Sequence, residues 1–373
     1  MKRILVLGAG RVGRVIAADL ATDSGLKVTV ADRSRAALDA TGGLETVAAD
    51  LGKPGVISGL CEQADVVVGA VPGRMGLAML KEVIGAGKPV ADISFSPENP
   101  LALHEAAEKA GVPVVVDCGV APGISNLLAG RAVAELDRTD SISIMVGGLP
   151  IRRVWPFEYR SVFSPTDVIE EYTRPCRMRV GGREVTVPAL TGVELVDLPG
   201  VGTLEAFNTD GLRTLLDTLE VPDLKEMTLR FPGHADRMRM LRETGFFNDD
   251  EVEVEGVRIR PRALTEELMF KVWEPGPGEQ EFTVLRVEAE GELDGRPRRM
   301  VWDLLDRTDT ATGTSSMSRT TGFPCAIVTR MLADGRWDRP GVVPPELLGA
   351  DAGLTDEILD GLASRGVEVR RSE

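Results

Sequence analysis

From Lys2 onward the chain alternates short apolar runs with stretches of helical period. The runs ILVLG, LKVTVA, ETVAAD, DVVVGAV, KPVADIS and VPVVVDCG read as six strands, and DVVVGAV is apolar throughout, as strands buried in a parallel sheet are. Helical stretches lie between them at Arg11–Leu20, Ser34–Thr41, Val56–Gln63, Leu77–Gly85 and Pro100–Ala110, and Ile124–Leu136 follows the last strand. Strand and helix in strict alternation predict an open parallel sheet whose ligands bind beyond the strands' carboxyl ends.

From about Ser141 the period changes. SISIMVGGLP, EYRSVFSP, MRVGGREVTVPAL and VGTLEAFNT read as strands separated by turn signals, interrupted by the helical stretches PTDVIEEYTRP and TDGLRTLLDTL. MTLRFPGHADRMRMLRETGFF reads as a strand turning into a helix, and EFTVLRVEAEGELDGRPRRMVWDLLD as a hairpin that turns at Asp294-Gly295. After Thr312 helical period returns in SSMSRTTGFPCAIVTRMLADG, and the tail ends as a short helix and strand. The predicted class is α/β: a Rossmann doubly wound parallel sheet at 1–127 and 313–373. Inserted into it, at 128–312, is an α+β substrate and oligomerisation domain built on a mostly antiparallel sheet.

The first strand feeds Gly8, Gly10 and Gly13, the spacing of a dinucleotide-binding turn that opens a helix. Gly8 permits the turn, Gly10 lets a pyrophosphate approach the backbone beside Arg11 and Val12, and Gly13 lets helix and strand pack closely. Phosphates then rest on unpaired N–H groups at the helix N-terminus. Asp32 closes the second strand, where a carboxylate binds ribose hydroxyls. A phosphate on that ribose meets a repulsion of about 4 kcal/mol at ~4 Å and an effective dielectric near 20, so NAD is favoured. Arg33 and Arg35 offset part of that repulsion and leave room for NADP. Asp50 ends the third strand, near the adenine or as a helix cap, and Ala70, Val71 and Pro72 end the fourth, on the nicotinamide side.

At 373 residues the chain is long enough for two cores. Its formal charge of -15 and the lack of a basic cluster argue against nucleic acid as a partner. No apolar stretch reaches the length of a membrane span, and the opening MKRILVLGAG reads as a strand rather than a signal. A cytoplasmic enzyme is therefore expected. Four scattered cysteines without a C-x-x-C pair argue against structural zinc and a disulfide framework.

Several motifs resemble those of the L-lysine 6-dehydrogenases, within the saccharopine dehydrogenase-like group: ADISFSPENP, DCGVAPGISN, FSPTDVIEEYTRP, FNTDGLRTLL, MTLRFPGHADRMRMLRETGFF and SSMSRTTGFPCAIVTRML. The resemblance implies NAD-dependent oxidative deamination of the ε-amine of L-lysine, giving a semialdehyde that cyclises, and ammonia. It also implies a homo-oligomer, a dimer built partly through the second domain. The alternative is the reductive condensation, with NADPH, of saccharopine or carboxynorspermidine dehydrogenases. Saccharopine reductases carry an aspartate before the Pro-Gly of the sixth-strand loop, where this chain has Ala121.

Hydride leaves carbon readily only beside a nitrogen lone pair, and a lysine amine with a pKa near 10.4 costs about 4 kcal/mol to neutralise at neutral pH. A base or an alkaline optimum is needed, and the same base can also activate water. His234, in the turn after Arg230-Phe231-Pro232-Gly233, is one candidate; Asp92 and Asp117, at the ends of the fifth and sixth strands, are the others. His104 reads as part of a solvated helix face, and Cys118 as a packing residue. For the carboxylate of an amino-acid substrate the candidates are Arg174, Arg213 and Arg230 of the inserted domain, with Tyr172 as a hydrogen-bonding partner.

Overall fold

The computed structural model describes residues 1–372, which form two compact units. The first takes Met1–Leu136, Arg213–Leu219 and Ser318–Val369; the second takes Asp137–Leu212, Glu220–Met317 and the end of the chain from Arg370. Arg213–Leu219 was expected in the inserted domain and belongs instead to the first unit.

In the first unit, strands β1 (Lys2–Leu7), β2 (Leu26–Asp32), β3 (Glu45–Ala48), β4 (Val66–Gly69), β5 (Val90–Asp92) and β6 (Pro113–Val115) are parallel. A seventh strand, Gly341–Val343, joins the edge beside β6, so the order from that edge is Gly341–Val343, β6, β5, β4, β1, β2, β3. The sequence reading missed it, because GVV is too short and featureless to register as a strand. His104 is half-buried: its Nδ1 accepts a hydrogen bond from the Val342 amide at 3.2 Å, and its Nε2 faces the exposed Glu108 at 3.4 Å. Leu5, Leu7, Val67, Val90 and Val114 fill one face of the sheet against Met79, Leu80 and Val83. Those three lie on helix Gly73–Gly85, which starts directly after Pro72.

Strands β7 (Arg138–Pro150), β8 (Cys176–Val180), β9 (Arg183–Val187), β10 (Glu194–Leu198), β11 (Gly202–Asn208) and β12 (Asp223–Arg230) belong to the second unit. So do β13 (Val252–Val254), β14 (Val257–Ile259), β15 (Glu281–Leu293) and β16 (Arg296–Arg307). Its nine-stranded sheet runs β10, β11, β12, β7, β15, β16 and the strand Val369–Ser372, with β8 beside β12 and β9 beside β8; β12 lies parallel to β7, and β10–β11, β11–β12, β7–β15, β15–β16, β12–β8 and β8–β9 are antiparallel. The hairpin of β15 and β16 turns at Asp294 and Gly295, both with positive φ (53° and 69°), as a tight two-residue turn requires.

EYRSVFSP is not a strand. Its tyrosine is buried in the unit's aromatic core, and its last two residues start helix Pro165–Thr173. TDGLRTLLDTL yields only one helical turn, Leu215–Thr218, because Arg213 holds a positive φ of 50°. Helix Pro261–Trp273 and the β13–β14 hairpin carry no expectation from the sequence.

Candidate active site

The glycine turn fits a dinucleotide on three counts. A Cβ at Gly8 would lie 2.2 Å from the Ala70 carbonyl oxygen, and one at Gly13 would lie 2.2 Å from that of Gly8. Only hydrogen fits at either place, so β1, β4 and helix Arg11–Leu20 nest backbone to backbone. Gly10, the residue before the helix, has no atom within 4 Å of its Cβ position, so no protein atom fills that side of the turn.

Asp32 is fixed by two backbone donors: the Ala9 amide donates to Oδ2 at 2.8 Å, and the Ser34 amide to Oδ1 at 2.8 Å. The carboxylate thereby ties the glycine turn to the end of β2. Arg33 is exposed, and Arg35 pairs with Asp39 at 3.2 Å. Asp50, also exposed, accepts from the Gly52 amide at 3.1 Å, which serves its local turn. Val71 is buried, while Pro72 caps helix Gly73–Gly85.

At the carboxyl end of β5, Asp92 is 2% exposed. Its oxygens accept from the Ser94 hydroxyl at 2.8 and 2.6 Å and from the Ser94 amide at 3.1 Å. Burial pushes this carboxyl up to about 7; the Ser94 donors oppose the shift, and the charge of Asp117 adds to it. Three glycines make room for this loop. A Cβ at Gly69 would lie 2.2 Å from Asp92 Oδ1, one at Gly73 2.2 Å from the Phe95 carbonyl oxygen, and one at Gly76 2.4 Å from Ser94 Oγ.

Asp117, just past β6, has φ of 54° and is fully buried against Arg213. Arg213 Nε lies 3.0 Å from both of its carboxylate oxygens, Nη1 donates to the Ser96 carbonyl, and the guanidinium lies 5.1 Å from the Phe95 ring centroid. Arg213 was expected among the second-domain arginines; it is instead the buried partner of another candidate, within the first unit. Its partner lies 96 residues away, a pairing that no helix-period reading registers. Cys118 is buried, and burial pushes its thiol well up, so it remains protonated at neutral pH.

The second unit holds its own polar cluster. His234 follows Gly233 (φ 89°) at the start of helix His234–Glu243, and Glu205 accepts from the Gly233 and Ala235 amides at 2.8 and 2.7 Å. The imidazole is 1% exposed. Its Nδ1 faces the Phe157 carbonyl at 3.1 Å and is therefore the donor, so Nε2 accepts from the Tyr172 hydroxyl at 2.8 Å. Burial and the nearby charge of Arg230 drive this imidazole down to about 3, and burial raises the Tyr172 hydroxyl to about 12.

Arg230 donates to Glu171 at 2.9 Å and to the Leu229 carbonyl at 3.0 Å, with its guanidinium 4.6 Å from the Tyr159 ring centroid. Tyr159, the chain's other tyrosine, also packs on His234, with ring centroids 5.6 Å apart. It was missed because its segment read as a strand. Arg174 is half-buried beside Glu170, 3.9 Å away. Thus His234, Tyr172 and Arg230 form one cluster, Asp117 and Arg213 another, and Asp92 lies beside the second.

Two family models match the chain: the saccharopine dehydrogenase NADP binding domain over residues 4–115, and the saccharopine dehydrogenase C-terminal domain over residues 119–367. The chain belongs to the saccharopine dehydrogenase family. Among relatives of this dehydrogenase family, the NADP(+), L-glutamate-forming saccharopine dehydrogenase of Pyricularia oryzae is 26% identical over 267 residues, 67% of this chain. That match spans 59% of the Pyricularia protein. The enzyme of the same name from Schizosaccharomyces pombe is 22% identical over 99% of this chain and 98% of its own length. The apo saccharopine dehydrogenase (L-Glu forming) of Saccharomyces cerevisiae has the same fold, with a TM-score of 0.83 at 20% identity over 100% of this chain and 99% of its own.

The relatives' names carry NADP, against the preference read from Asp32. Among the described residues there is no cluster that would hold a metal ion, and no helix long and apolar enough to cross a membrane.

Proposed function

We propose that the chain is a nicotinamide-dependent oxidoreductase of lysine metabolism that makes and breaks the carbon–nitrogen bond joining a lysine-derived semialdehyde to an amino acid, the saccharopine dehydrogenase reaction. One structural observation supports it beyond the family match: Asp92, at the carboxyl end of β5, is a buried carboxyl held only by Ser94 donors, and burial pushes it up to about 7. A bound nicotinamide supplies the hydride acceptor or donor. Asp92 takes the proton of the secondary amine, leaving the nitrogen lone pair available as hydride departs from the adjacent carbon. The resulting imine adds water, and Asp92 mediates the proton transfers that release aldehyde and amine. Asp117 and Arg213 are positioning residues that hold the loop around Ser96.

Oxidative deamination of lysine itself is the second reading, favoured by Ala121 before the Pro122-Gly123 turn, where no carboxylate is present to assist a second substrate. For the cofactor we propose NAD ahead of NADP, from the fixed carboxylate of Asp32.

Initial rates distinguish the readings. Oxidation of the reduced cofactor that requires both 2-aminoadipate 6-semialdehyde and glutamate supports the first. Ammonia and reduced cofactor from lysine alone transfer the assignment to the second. No turnover of either kind between about pH 7 and 10 overturns both.

A further inference from the structure

The groups around Asp92 leave its carboxyl a single side-chain partner. A Cβ at Gly69 would lie 2.2 Å from Asp92 Oδ1 and 2.4 Å from the Met79 methyl carbon, so that oxygen is backed by main chain and hydrocarbon. Cys118 and Cys325 are buried close by, but their thiols lie against backbone carbonyls, Cys118 Sγ donating to Val115 at 3.4 Å and Cys325 Sγ to Ala91 at 3.9 Å. Burial pushes both thiols up, so neither gives up its proton at neutral pH. The Arg213 guanidinium is held by Asp117 and the Ser96 carbonyl. Among the described residues, only the Ser94 side chain hydrogen-bonds Asp92.

The dependence runs both ways, since the Ser94 hydroxyl has no other side-chain or backbone partner and is itself buried. Its Oγ lies 2.8 Å from Oδ1 and 2.6 Å from Oδ2. A hydroxyl carries one hydrogen and two lone pairs, so Ser94 donates to one carboxylate oxygen, and its second short contact is completed by a proton on the carboxyl that is donated back to Oγ. The two groups are therefore arranged to pass a proton between them. Ser94 also stands two residues past the end of β5, on the side of a parallel sheet where ligands bind. Gly76, in the first turn of helix Gly73–Gly85, keeps that position clear, because a Cβ there would lie 2.4 Å from Ser94 Oγ.

We propose that Ser94 is a proton relay: during amine oxidation its Oγ takes the proton of the substrate nitrogen while its own hydrogen passes to Asp92. One N–H and one O–H bond break and two O–H bonds form. The hydroxyl is regenerated, the nitrogen keeps the electron pair, and the proton ends on the Asp92 carboxyl. When the imine is hydrolysed the path runs backwards, Asp92 returning its proton to Oγ as Ser94 gives its own hydrogen to the departing nitrogen. The relay rests on the reading of Asp92 as the proton acceptor, and adds that the atom meeting the substrate nitrogen is the Ser94 oxygen.

The test is a proton inventory on the full chain: single-turnover reduction of NAD in mixtures of light and heavy water, on the pH plateau, with whichever of saccharopine and lysine the initial rates select. The wild-type rate should fall along a bowed curve, because two protons move together. Ser94→Ala should be slower by about tenfold or more, with an unchanged KM for NAD and a straight-line inventory. A straight wild-type line overturns the relay, as does a Ser94→Ala variant that keeps the wild-type rate or the bowed curve. The wild-type measurement decides even if Ser94→Ala does not fold. Asp92→Asn separates the relay from the reading beneath it. An inactive Asp92→Asn beside a straight wild-type line leaves Asp92 as the base and removes Ser94 from the path. If Asp92→Asn keeps the wild-type rate, or neither substrate turns over, the role of Asp92 fails and the relay with it.

Discussion

Gly69 and Asp92 cannot both keep their places if the glycine gains a side chain: the Cβ of an alanine at 69 would lie 2.2 Å from Asp92 Oδ1. The last residue of β4 is small so that the last residue of β5 can hold its carboxyl in place. Gly69→Ala should therefore lower kcat by about tenfold or more, because displacing a proton-transfer group by even 1 Å is costly. The check is initial rates with saturating cofactor, beside a thermal melt to show that the variant folds.

Asp92 sets two pH dependences. In the amine-oxidising direction the rate should rise as pH passes about 7, where this carboxyl loses its proton, and Asp92→Asn should abolish that limb. Stability should move the other way. A carboxyl raised from 3.8 to about 7 holds its proton more tightly when folded, so stability is greatest below about 4 and falls as pH rises to about 7. Asp92→Asn should remove that decline, which chemical denaturation at pH 5 and pH 8 would reveal.

Arg213 and Asp117 are both buried, so removing one strands the other. Arg213→Met or Asp117→Leu should each destabilise by about 3–5 kcal/mol, whereas the double substitution should recover much of that loss. A double-mutant cycle measured by denaturant unfolding checks it; additive losses would mean the two side chains do not interact.

The carboxylate of Asp32 faces any 2′-phosphate but also holds the Ala9 and Ser34 amides. Asp32→Asn, which keeps one oxygen, should shift the NAD to NADP ratio of kcat/KM toward NADP by about tenfold or more, since one removed repulsion is worth several kcal/mol before screening. An unchanged ratio would mean that the ribose lies elsewhere.

His234 differs from Asp92 in the direction of its shift. Held near 3 in the folded chain against an ordinary 6.5, it opposes protonation, so the folded state loses stability as pH falls from about 6.5 toward 3. His234→Gln should flatten that loss. Tyr172→Phe should raise the imidazole too little to carry a neutral-pH limb in kcat. A rate profile that shifts with Tyr172→Phe would make this pair, rather than Asp92, the proton-transfer group.

The dinucleotide turn, the alternation of strand and helix, and the hairpin at Asp294-Gly295 were legible in the sequence because each depends on neighbours within about twenty residues. Glycine spacing, period and turn chemistry are local properties. Asp92 and Asp117 were legible as residues at strand ends, but their environments were not. The space beside Asp92 comes from Gly69 and Gly76, and the partner of Asp117 is 96 residues away. EYRSVFSP has a strand's composition, yet its tyrosine is drawn into an aromatic cluster with Trp273 and His234. Local chemistry thus fixed the alternation of the first unit and the turn that suits a dinucleotide, though not every element of the second. Only the tertiary structure decided which polar groups are buried together, because desolvation and charge pairing act through space and not along the chain.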